Sequence, residues 1–245
     1  MNRIKLTIEY DGTNFCGYQV QPGKRTIQGE LESALESIYN QKVVSYSSGR
    51  TDAGVHAYNA VVHFDEPKEL KNKRIKDSLN AYLPNDVKVV DAEIVNDSFD
   101  ARFDATTKTY AYKFYISRTE RPLMFNRALR VNENINIEKM KEACKYFIGE
   151  HDFTSFVARK SGKTNFVRTI YSCDISETAK NEYELIISGN GFLYNMVRII
   201  MGTLIFVGEG KYEPKHVKEI IDGKNRALAG KTVAAYGLYL MKVEY

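Results

Sequence analysis

One short polar segment combines the residue types and the spacing that acid–base or nucleophilic chemistry requires. In GRTDAGVHA, residues 49–57, Arg50 stands two residues before Asp52, and Gly49 and Gly54 flank the pair. An aspartate in such a turn often bonds the backbone, so a structural role is one interpretation. An ionised carboxylate that holds no metal can also serve as a nucleophile or a base, so catalysis is the other.

Arg198 is the second unusual residue, because it stands within the apolar run MVRIIM at 196–201. Residues 194–207 are apolar on nearly every face, which predicts a buried helix. A guanidinium in such a helix is costly without a carboxylate partner, and an Asp in a turn at a strand edge would be a suitable one. The alternative is that the side chain extends to a solvated end of the helix.

Tyr110 lies in an alternating pattern in which Tyr112, Phe114 and Ile116 share one side of a predicted strand. It can be one core aromatic among several. With basic residues nearby, it can also present a face on which a nucleic-acid base stacks. The pattern alone leaves both interpretations open.

The elements that must position these residues follow from hydrophobic periodicity. The first half reads β-α-β-β-α-β, with predicted elements at 3–10, 27–38, 42–47, 58–64, 72–82 and 87–95. The second half predicts a strand ending at 116, a helix at 137–148, a hairpin of 167–176 and 183–188, the buried helix, a short helix from Pro214 and a strand at 238–245.

The strands alternate rather than forming solid apolar blocks, so we predict an α+β fold with largely antiparallel sheets flanked by helices. The similar order of elements in the two halves predicts two similar lobes. One covers 1–100 and carries the Asp52 turn, and the other covers 101–245. No linker rich in Pro, Gly or Ser separates them.

Composition excludes several classes of protein. The 245 residues are 43% hydrophobic, which is enough for a sizeable core. The longest apolar run, 199–208, is far shorter than the about 20 residues of a membrane helix. The N-terminal residues lack an apolar signal region, and the three cysteines lack zinc spacing. We therefore expect a cytoplasmic protein without a membrane segment.

The balance of 35 basic and 31 acidic residues gives a net charge of +4, too small to identify a nucleic-acid binder by itself. Basic residues cluster at 117–130 and 157–168. Such clusters can be solvated surface or a surface that follows phosphates.

No metal or cofactor site is predicted. The Gly-Lys-Thr triplets at 162–164 and 230–232 lack the first glycine of a phosphate-binding loop. Asp52 and His56 have the spacing of a helical metal pair, but the flanking glycines predict a turn instead.

Four blocks occur in an order that resembles the tRNA pseudouridine synthase A family: DGTNFCGYQVQ at 11–21, GRTDAGVHA at 49–57, FDARFDA at 99–105 and GFLYNMVR at 191–198. A looser match, YGLYL at 236–240, extends the resemblance to the end of the chain. Tyr18 stands where many relatives have Trp, and Phe99-Asp100 replaces the frequent Phe-His. Neither departure touches a matched catalytic position.

The resemblance implies a pseudouridine synthase fold with a central cleft, and a homodimer that needs no cofactor or metal. The implied reaction converts uridine to pseudouridine at nucleotides 38, 39 and 40 of the tRNA anticodon stem-loop. By motif, Asp52 matches the catalytic aspartate and Arg198 its basic partner. Arg50 matches the residue that fills the space of the flipped base, Tyr110 the residue that stacks on the uracil, and Leu238 an aliphatic residue that packs on it.

Two other functions fit part of the sequence. A non-catalytic RNA-binding protein accounts for the basic segments but gives no reason for Asp52 and Arg198 together. A metal-dependent hydrolase would use Asp52 and His56. Within the implied reaction, Asp52 can attack the ribose C1′ or abstract the 2′ proton, and the sequence does not choose between the two routes.

Overall fold

The computed structural model describes residues 2–69, 74–158 and 165–245. The chain divides into two compact units, one formed by Met1–Thr106 with Leu240–Tyr245 and the other by Thr107–Tyr239. The last six residues therefore return to the first unit, a feature that the predicted division at residue 100 does not contain.

The first unit is an antiparallel sheet with two helices. Its elements are β1 (Arg3–Tyr10), α1 (Ile27–Tyr39), β2 (Tyr46–Ser47), β3 (His56–Asp65), α2 (Ile75–Tyr82) and β4 (Val87–Val95). β1 lies between β3 and β4 and is antiparallel to both, and β2 is antiparallel to β3. The predicted order β-α-β-β-α-β is confirmed.

Local chemistry explains most of these boundaries. Alternate residues of β1 face the core, and Ile4, Leu6 and Ile8 are fully buried. α1 begins after Thr26, whose hydroxyl accepts a hydrogen bond from Gly29 N at 3.2 Å, and it ends at Asn40 in the left-handed conformation.

The predicted strand at 42–47 is wrong for its first four residues. The backbone N–H and the hydroxyl of Ser45 donate instead to Glu32 Oε1 of α1, at 2.9 and 3.0 Å. A side chain of the neighbouring helix therefore takes the donor that a strand ladder would have used. The predicted start of the second helix, at residue 72, lies outside the described residues.

The second unit begins at β5, and the remaining elements of the chain are β5 (Thr107–Ile116), β6 (Leu129–Val131), α3 (Ile137–Cys144), β7 (Gly149–Asp152), β8 (Val167–Ala179), β9 (Glu182–Gly189), α4 (Met196–Gly208), α5 (His216–Asp222) and β10 (Leu238–Glu244). Within this unit the strands pair in the order β5-β9-β8-β7, each antiparallel to its neighbour. β6 is parallel to β5, and β10 continues into the first unit. The predicted hairpin and closing strand are confirmed, whereas the sequence did not predict the short strands β6 and β7.

α4 is the buried helix that the sequence predicted. Nearly all its residues are buried, and the chain at 230–231 lies against its backbone at Gly202. Gly230 N donates to Thr203 Oγ1 at 2.9 Å. The Gly-Lys-Thr triplet at 230–232 therefore packs on a helix, which agrees with the absence of a phosphate-loop pattern.

The predicted α+β class with largely antiparallel sheets is thus confirmed. In the ranges that the structure describes, no helix is long and apolar enough to span a membrane. Among the same residues, no group of three or more His, Cys, Asp or Glu side chains is arranged to hold a metal ion.

Candidate active site

Asp52 lies on the turn that joins β2 to β3, in the first unit. Its carbonyl oxygen accepts a hydrogen bond from Val55 N at 3.2 Å, which closes the turn. The Asp52 residue is half-buried, Arg50 is exposed, and Thr51 between them is buried. Two residues of opposite charge, separated by one residue, thus reach solvent, while the buried residue between them anchors the turn.

Residues 10–18 hold this turn through Thr51. Tyr18 N donates to the carbonyl oxygen of Thr51 at 3.0 Å, and the Tyr10 hydroxyl lies 2.8 Å from Thr51 Oγ1. Gly17 has a φ of +92°, and a Cβ there would lie 2.9 Å from the Thr51 carbonyl oxygen. The backbone beside Asp52 is therefore fixed by a segment that could not carry a side chain at this point.

His56 closes the other side of the turn. Its Nδ1 accepts a hydrogen bond from Gly12 N at 3.1 Å and lies 3.1 Å from Asp11 Oδ1. A Cβ on Gly12 would overlap the carbonyl of Val55. Because Nδ1 is occupied by a backbone donor, that atom is not available as a metal ligand.

Arg198 lies in the first turn of α4, in the second unit. Its Nε donates to the Val233 carbonyl oxygen at 2.8 Å, and its Nη1 donates to Asn195 Oδ1 at 2.6 Å. Asn195 precedes the helix in the left-handed conformation, with φ of 61°. These two neutral oxygens orient the guanidinium. Since Asp52 belongs to the other unit, its predicted pairing with Arg198 stays a prediction.

Tyr110 is half-buried on β5, opposite Ile187 of β9. Its ring makes an edge-to-face contact with Phe192, with centroids 5.2 Å apart and an interplanar angle of 84°. Phe192 belongs to the same block as Arg198, so this block supports two of the predicted site residues of the second unit, Tyr110 and Arg198. On β5, Ala111 and Tyr115 are buried on one face and Tyr112 and Phe114 on the other, which the simple alternation did not predict.

Leu238 is buried at the start of β10. The segment before it is anchored by Tyr112, whose hydroxyl donates to the Ala234 carbonyl oxygen at 2.7 Å. Burial raises the pKa of Tyr112, so this hydroxyl stays protonated and keeps donating. The segment 233–238 therefore contains the carbonyl of Val233 that accepts from Arg198, the carbonyl of Ala234 that accepts from Tyr112 of β5, and Leu238 itself.

Sequence reasoning missed the residues that hold the predicted site. Tyr10, Thr51 and Asn195 bond directly to it or to its neighbours, yet each has an ordinary structural interpretation in the sequence. Only the glycines at 12 and 17 gave a signal, because they lie in a block of unusual composition.

The arginines of the segment 117–130 largely pair with carboxylates. The ion pairs are Arg118 with Glu133, Arg121 with Glu182 and Arg130 with Glu120, at 2.5, 2.7 and 2.9 Å. Exposed pairs of this kind contribute little to stability, so phosphates could replace the carboxylates at small cost.

In the second basic segment, 157–168, Arg168 is half-buried, and burial lowers its pKa. Arg159, Lys160 and Lys163 of this segment lie outside the described residues. The prediction that this segment follows tRNA phosphates therefore rests on the sequence alone.

Comparisons with known proteins agree with the blocks. The family model described as tRNA pseudouridine synthase matches residues 6–104 and 143–245. The chain is 49% identical to tRNA pseudouridine synthase A of Bacillus subtilis (strain 168), over 99% of both chains. It is 47% identical to that of Anoxybacillus flavithermus (strain DSM 21510 / WK1), over 100% of this chain and 99% of the other.

Similarity to solved structures is weaker. A crystal structure of the archaeal box H/ACA sRNP Nop10-Cbf5 complex matches with a TM-score of 0.35 and 14% identity. The match covers 83% of this chain and only 44% of that one. The sequence matches, which span nearly the whole chain, decide the question: this chain belongs to the tRNA pseudouridine synthase family.

Proposed function

We propose that this member of an isomerase family converts uridine to pseudouridine at nucleotides 38, 39 and 40 in the anticodon stem-loop of tRNA. The reaction class and the tRNA substrate follow from the family match over most of the chain. The observation that supports the catalytic assignment is the turn of Asp52, a half-buried residue on a turn that Tyr10 and Tyr18 hold at Thr51 and Gly12 holds at His56.

Asp52 is the proposed catalytic residue. The N1–C1′ bond of uridine must break, the uracil must turn, and C5 must bond to C1′. Asp52 can add to C1′ and leave when C5 attacks, or it can remove the 2′ proton to eliminate the uracil, with that proton returned after the new bond forms. In both routes the C5 proton moves to N1, so the reaction is an isomerisation and needs no redox partner.

Arg198 is proposed to keep that carboxylate ionised. A cation in the first turn of a helix is unfavourable, because it lies next to the positive end of the helix dipole. A nearby anion is attracted by both positive charges and reduces their repulsion. The hydrogen bonds from Arg198 to Val233 and Asn195 hold the guanidinium in one orientation. A fixed guanidinium favours the charged form of a carboxylate without the loss of entropy that a mobile side chain would incur.

Three other residues are proposed to bind the flipped nucleotide. The target base must leave its stack, which costs a few kcal/mol. Arg50, exposed on the Asp52 turn, would fill the vacated space. Tyr110, braced edge-on by Phe192, would stack on the uracil, and Leu238 would pack on its other face. A detached uracil held in this way would turn in place rather than diffuse away.

The remaining assignments are proposals from the family resemblance. The active form is a cytoplasmic homodimer, one tRNA contacts both subunits, and no metal or cofactor takes part. The segments 117–130 and 157–168 form the phosphate-binding surface, with the carboxylates that pair with Arg118, Arg121 and Arg130 displaced by the tRNA backbone.

The decisive experiment maps pseudouridine in an unmodified tRNA transcript after incubation with wild-type protein and with Asp52→Asn. We expect modification at nucleotides 38, 39 or 40 by the wild type and none by the variant. Asp52→Asn should still bind tRNA with nearly unchanged affinity, because binding is spread over many phosphates.

Each other outcome removes one part of the proposal. Modification only outside the anticodon stem-loop would make the target nucleotides wrong. An active Asp52→Asn protein would make the catalytic assignment wrong. Tight binding by a wild-type protein that forms no pseudouridine would favour the non-catalytic RNA-binding alternative, and loss of activity in a chelator would favour a metal enzyme.

A further inference from the structure

The block at 99–105 forms a rigid turn between β4 and β5 in the first unit. Its third residue, Ala101, is fully buried. The backbone N–H of Ala101 donates to His63 Nδ1 at 3.0 Å, and its carbonyl oxygen accepts from the Tyr245 hydroxyl at 2.8 Å. The turn is thus fastened to β3 and to the end of the chain through one residue.

Asp100 and Asp104 close the turn from within. Asp100 Oδ1 accepts hydrogen bonds from the backbone N–H groups of Arg102 and Phe103, at 2.7 and 3.0 Å. Asp104 Oδ2 accepts from Asp100 N at 2.9 Å. Burial alone would raise the pKa of Asp100, but these backbone hydrogen bonds bring it below its ordinary value. The turn therefore keeps this shape at neutral pH.

This rigid turn presents an aromatic ring to solvent. Phe103 is 78% exposed, and the guanidinium carbon of Arg102 lies 5.4 Å from the centre of its ring. Phe99 of the same block behaves differently, because its ring packs 4.9 Å from Tyr245 and 6.0 Å from His63. One aromatic residue of the block thus anchors the turn, and the other serves no packing purpose within the unit.

We propose that Arg102 and Phe103 form a platform on which an unpaired base of the tRNA stacks, at a site separate from the target uridine. This proposal rests on the proposed function only in taking tRNA as the substrate. An aromatic ring and a planar guanidinium both stack on bases, and such contacts accept any base because every base has a π-face. The rigid turn lowers the entropic cost of binding, since little is left to order.

The surrounding charges favour a base over a phosphate as the ligand. Asp100 and Asp104 lie in the same turn and would repel a phosphate placed on Phe103. A second protein chain fits less well, because one ring and one guanidinium provide far less than the about 800 Å² that each partner buries in a stable interface.

The test measures tRNA affinity by fluorescence anisotropy for a series of variants at position 103. Phe103→Ala should weaken binding by about 5- to 100-fold, the range that removal of one base-stacking ring produces. Phe103→Tyr and Phe103→Trp should bind as the wild type does. Phe103→Leu should bind as weakly as the alanine variant, because it keeps apolar bulk and loses the flat face.

Tyr82→Ala is the matched control. Tyr82 is 59% exposed at the end of α2 in the same unit, and its removal should leave the affinity unchanged. Thermal unfolding of all variants should coincide within about 2 °C, because the exposed rings contribute little to the core.

Two further measurements separate stacking from charge. Arg102→Gln should lower the slope of log affinity against log salt by at most about 1, whereas Phe103→Ala should leave that slope unchanged. In activity assays Phe103→Ala should raise KM for tRNA and leave kcat within about 2-fold, since the proposed platform binds a base other than the target uridine.

The outcomes are distinguishable from failure of the proposed function. If Phe103→Leu binds like the wild type, or Phe103→Ala loses no affinity, the platform is wrong even when pseudouridine forms. If the alanine variant instead changes the oligomeric state in sedimentation, the ring contacts protein and the proposal is again wrong. If the wild type forms no pseudouridine but the position-103 variants show the expected series of tRNA affinities, the platform is supported and the proposed enzymatic function is wrong.

Discussion

The turn of Asp52 and the first turn of α4 hold opposite charges by different means. The turn of Asp52 is held at its neighbours, because Tyr18 N and the Tyr10 hydroxyl bond Thr51 and Gly12 N bonds His56. Arg198 is positioned through its own side chain, by hydrogen bonds to Val233 and Asn195. A short side chain is aimed by fixing its backbone, whereas a long one must be held near its end. Disturbing the two regions should therefore have different effects.

The largest expected effect comes from disturbing the close contact between Gly12 and the backbone of Val55, beside the Asp52 turn. In Gly12→Ala the new methyl group would overlap the carbonyl of Val55, so we expect a loss of several kcal/mol of unfolding free energy or failure to fold. Urea denaturation measures it. Gly23→Ala is the control, since its Cβ meets nothing within 4 Å and only its positive φ opposes the change, at about 1 kcal/mol. Equal losses of unfolding free energy in both variants would contradict the importance of the contact between Gly12 and Val55.

Removal of the guanidinium should affect catalysis rather than folding. Arg198→Leu keeps the apolar surroundings of α4, so the protein should fold while single-turnover pseudouridine formation falls by about 100- to 1000-fold. Arg198→Lys should recover part of the rate, because it restores the charge without the two directed hydrogen bonds. A folded and fully active leucine variant would falsify the electrostatic role.

A smaller effect, the change in kcat on removal of one tyrosine hydroxyl, distinguishes a residue that positions the Asp52 turn from one that only stabilises the fold. Tyr10→Phe removes the hydroxyl beside Thr51, and Tyr39→Phe removes a buried hydroxyl that donates to Glu66 at 3.0 Å, away from the turn. Both should lose about 1 kcal/mol of stability. Only Tyr10→Phe should lower kcat, by about 3- to 10-fold, with KM unchanged. Matching kcat losses in both variants would show a general loss of stability instead.

The smallest effect concerns pH. Burial lowers the pKa of His63 below its ordinary value, and its neutral Nδ1 accepts from Ala101 N. The unfolded chain then binds more protons than the folded one below about pH 6.5, so stability should fall as the pH decreases through this range. Urea midpoints at pH 7.5 and 5.5 should differ less in His63→Asn. If the His63→Asn variant shows the same pH dependence of stability, groups other than His63 cause it.

Hydrophobic periodicity was sufficient to predict most of the fold. The helices predicted to start at 27 and 137 do start at Ile27 and Ile137, and β4 was predicted with its observed bounds. The predictions failed where a side chain replaced the expected backbone partner. Glu32 accepts the hydrogen bonds of the Ser45 backbone N–H and hydroxyl, and the first four residues of the predicted strand at 42–47 do not join the sheet.

The site was less accessible to sequence reasoning than the fold. The blocks identified Asp52 and Arg198 by residue type, but the hydrogen bonds from Tyr10 and Asn195 depend on contacts that no local pattern encodes. The exposure of Phe103 beside the buried Phe99 shows the same limit. Two phenylalanines four residues apart look equivalent in a sequence, and only the tertiary fold separates a core ring from a surface ring.

The return of residues 240–245 to the first unit has a consequence for folding during synthesis. Met241 supplies the carbonyl oxygen that accepts from Asn59 Nδ2 at 2.8 Å, and Tyr245 fastens Ala101. Both are made only after the whole second unit has been translated. The N-terminal unit must therefore wait, without its last strand, while the later unit emerges from the ribosome and folds.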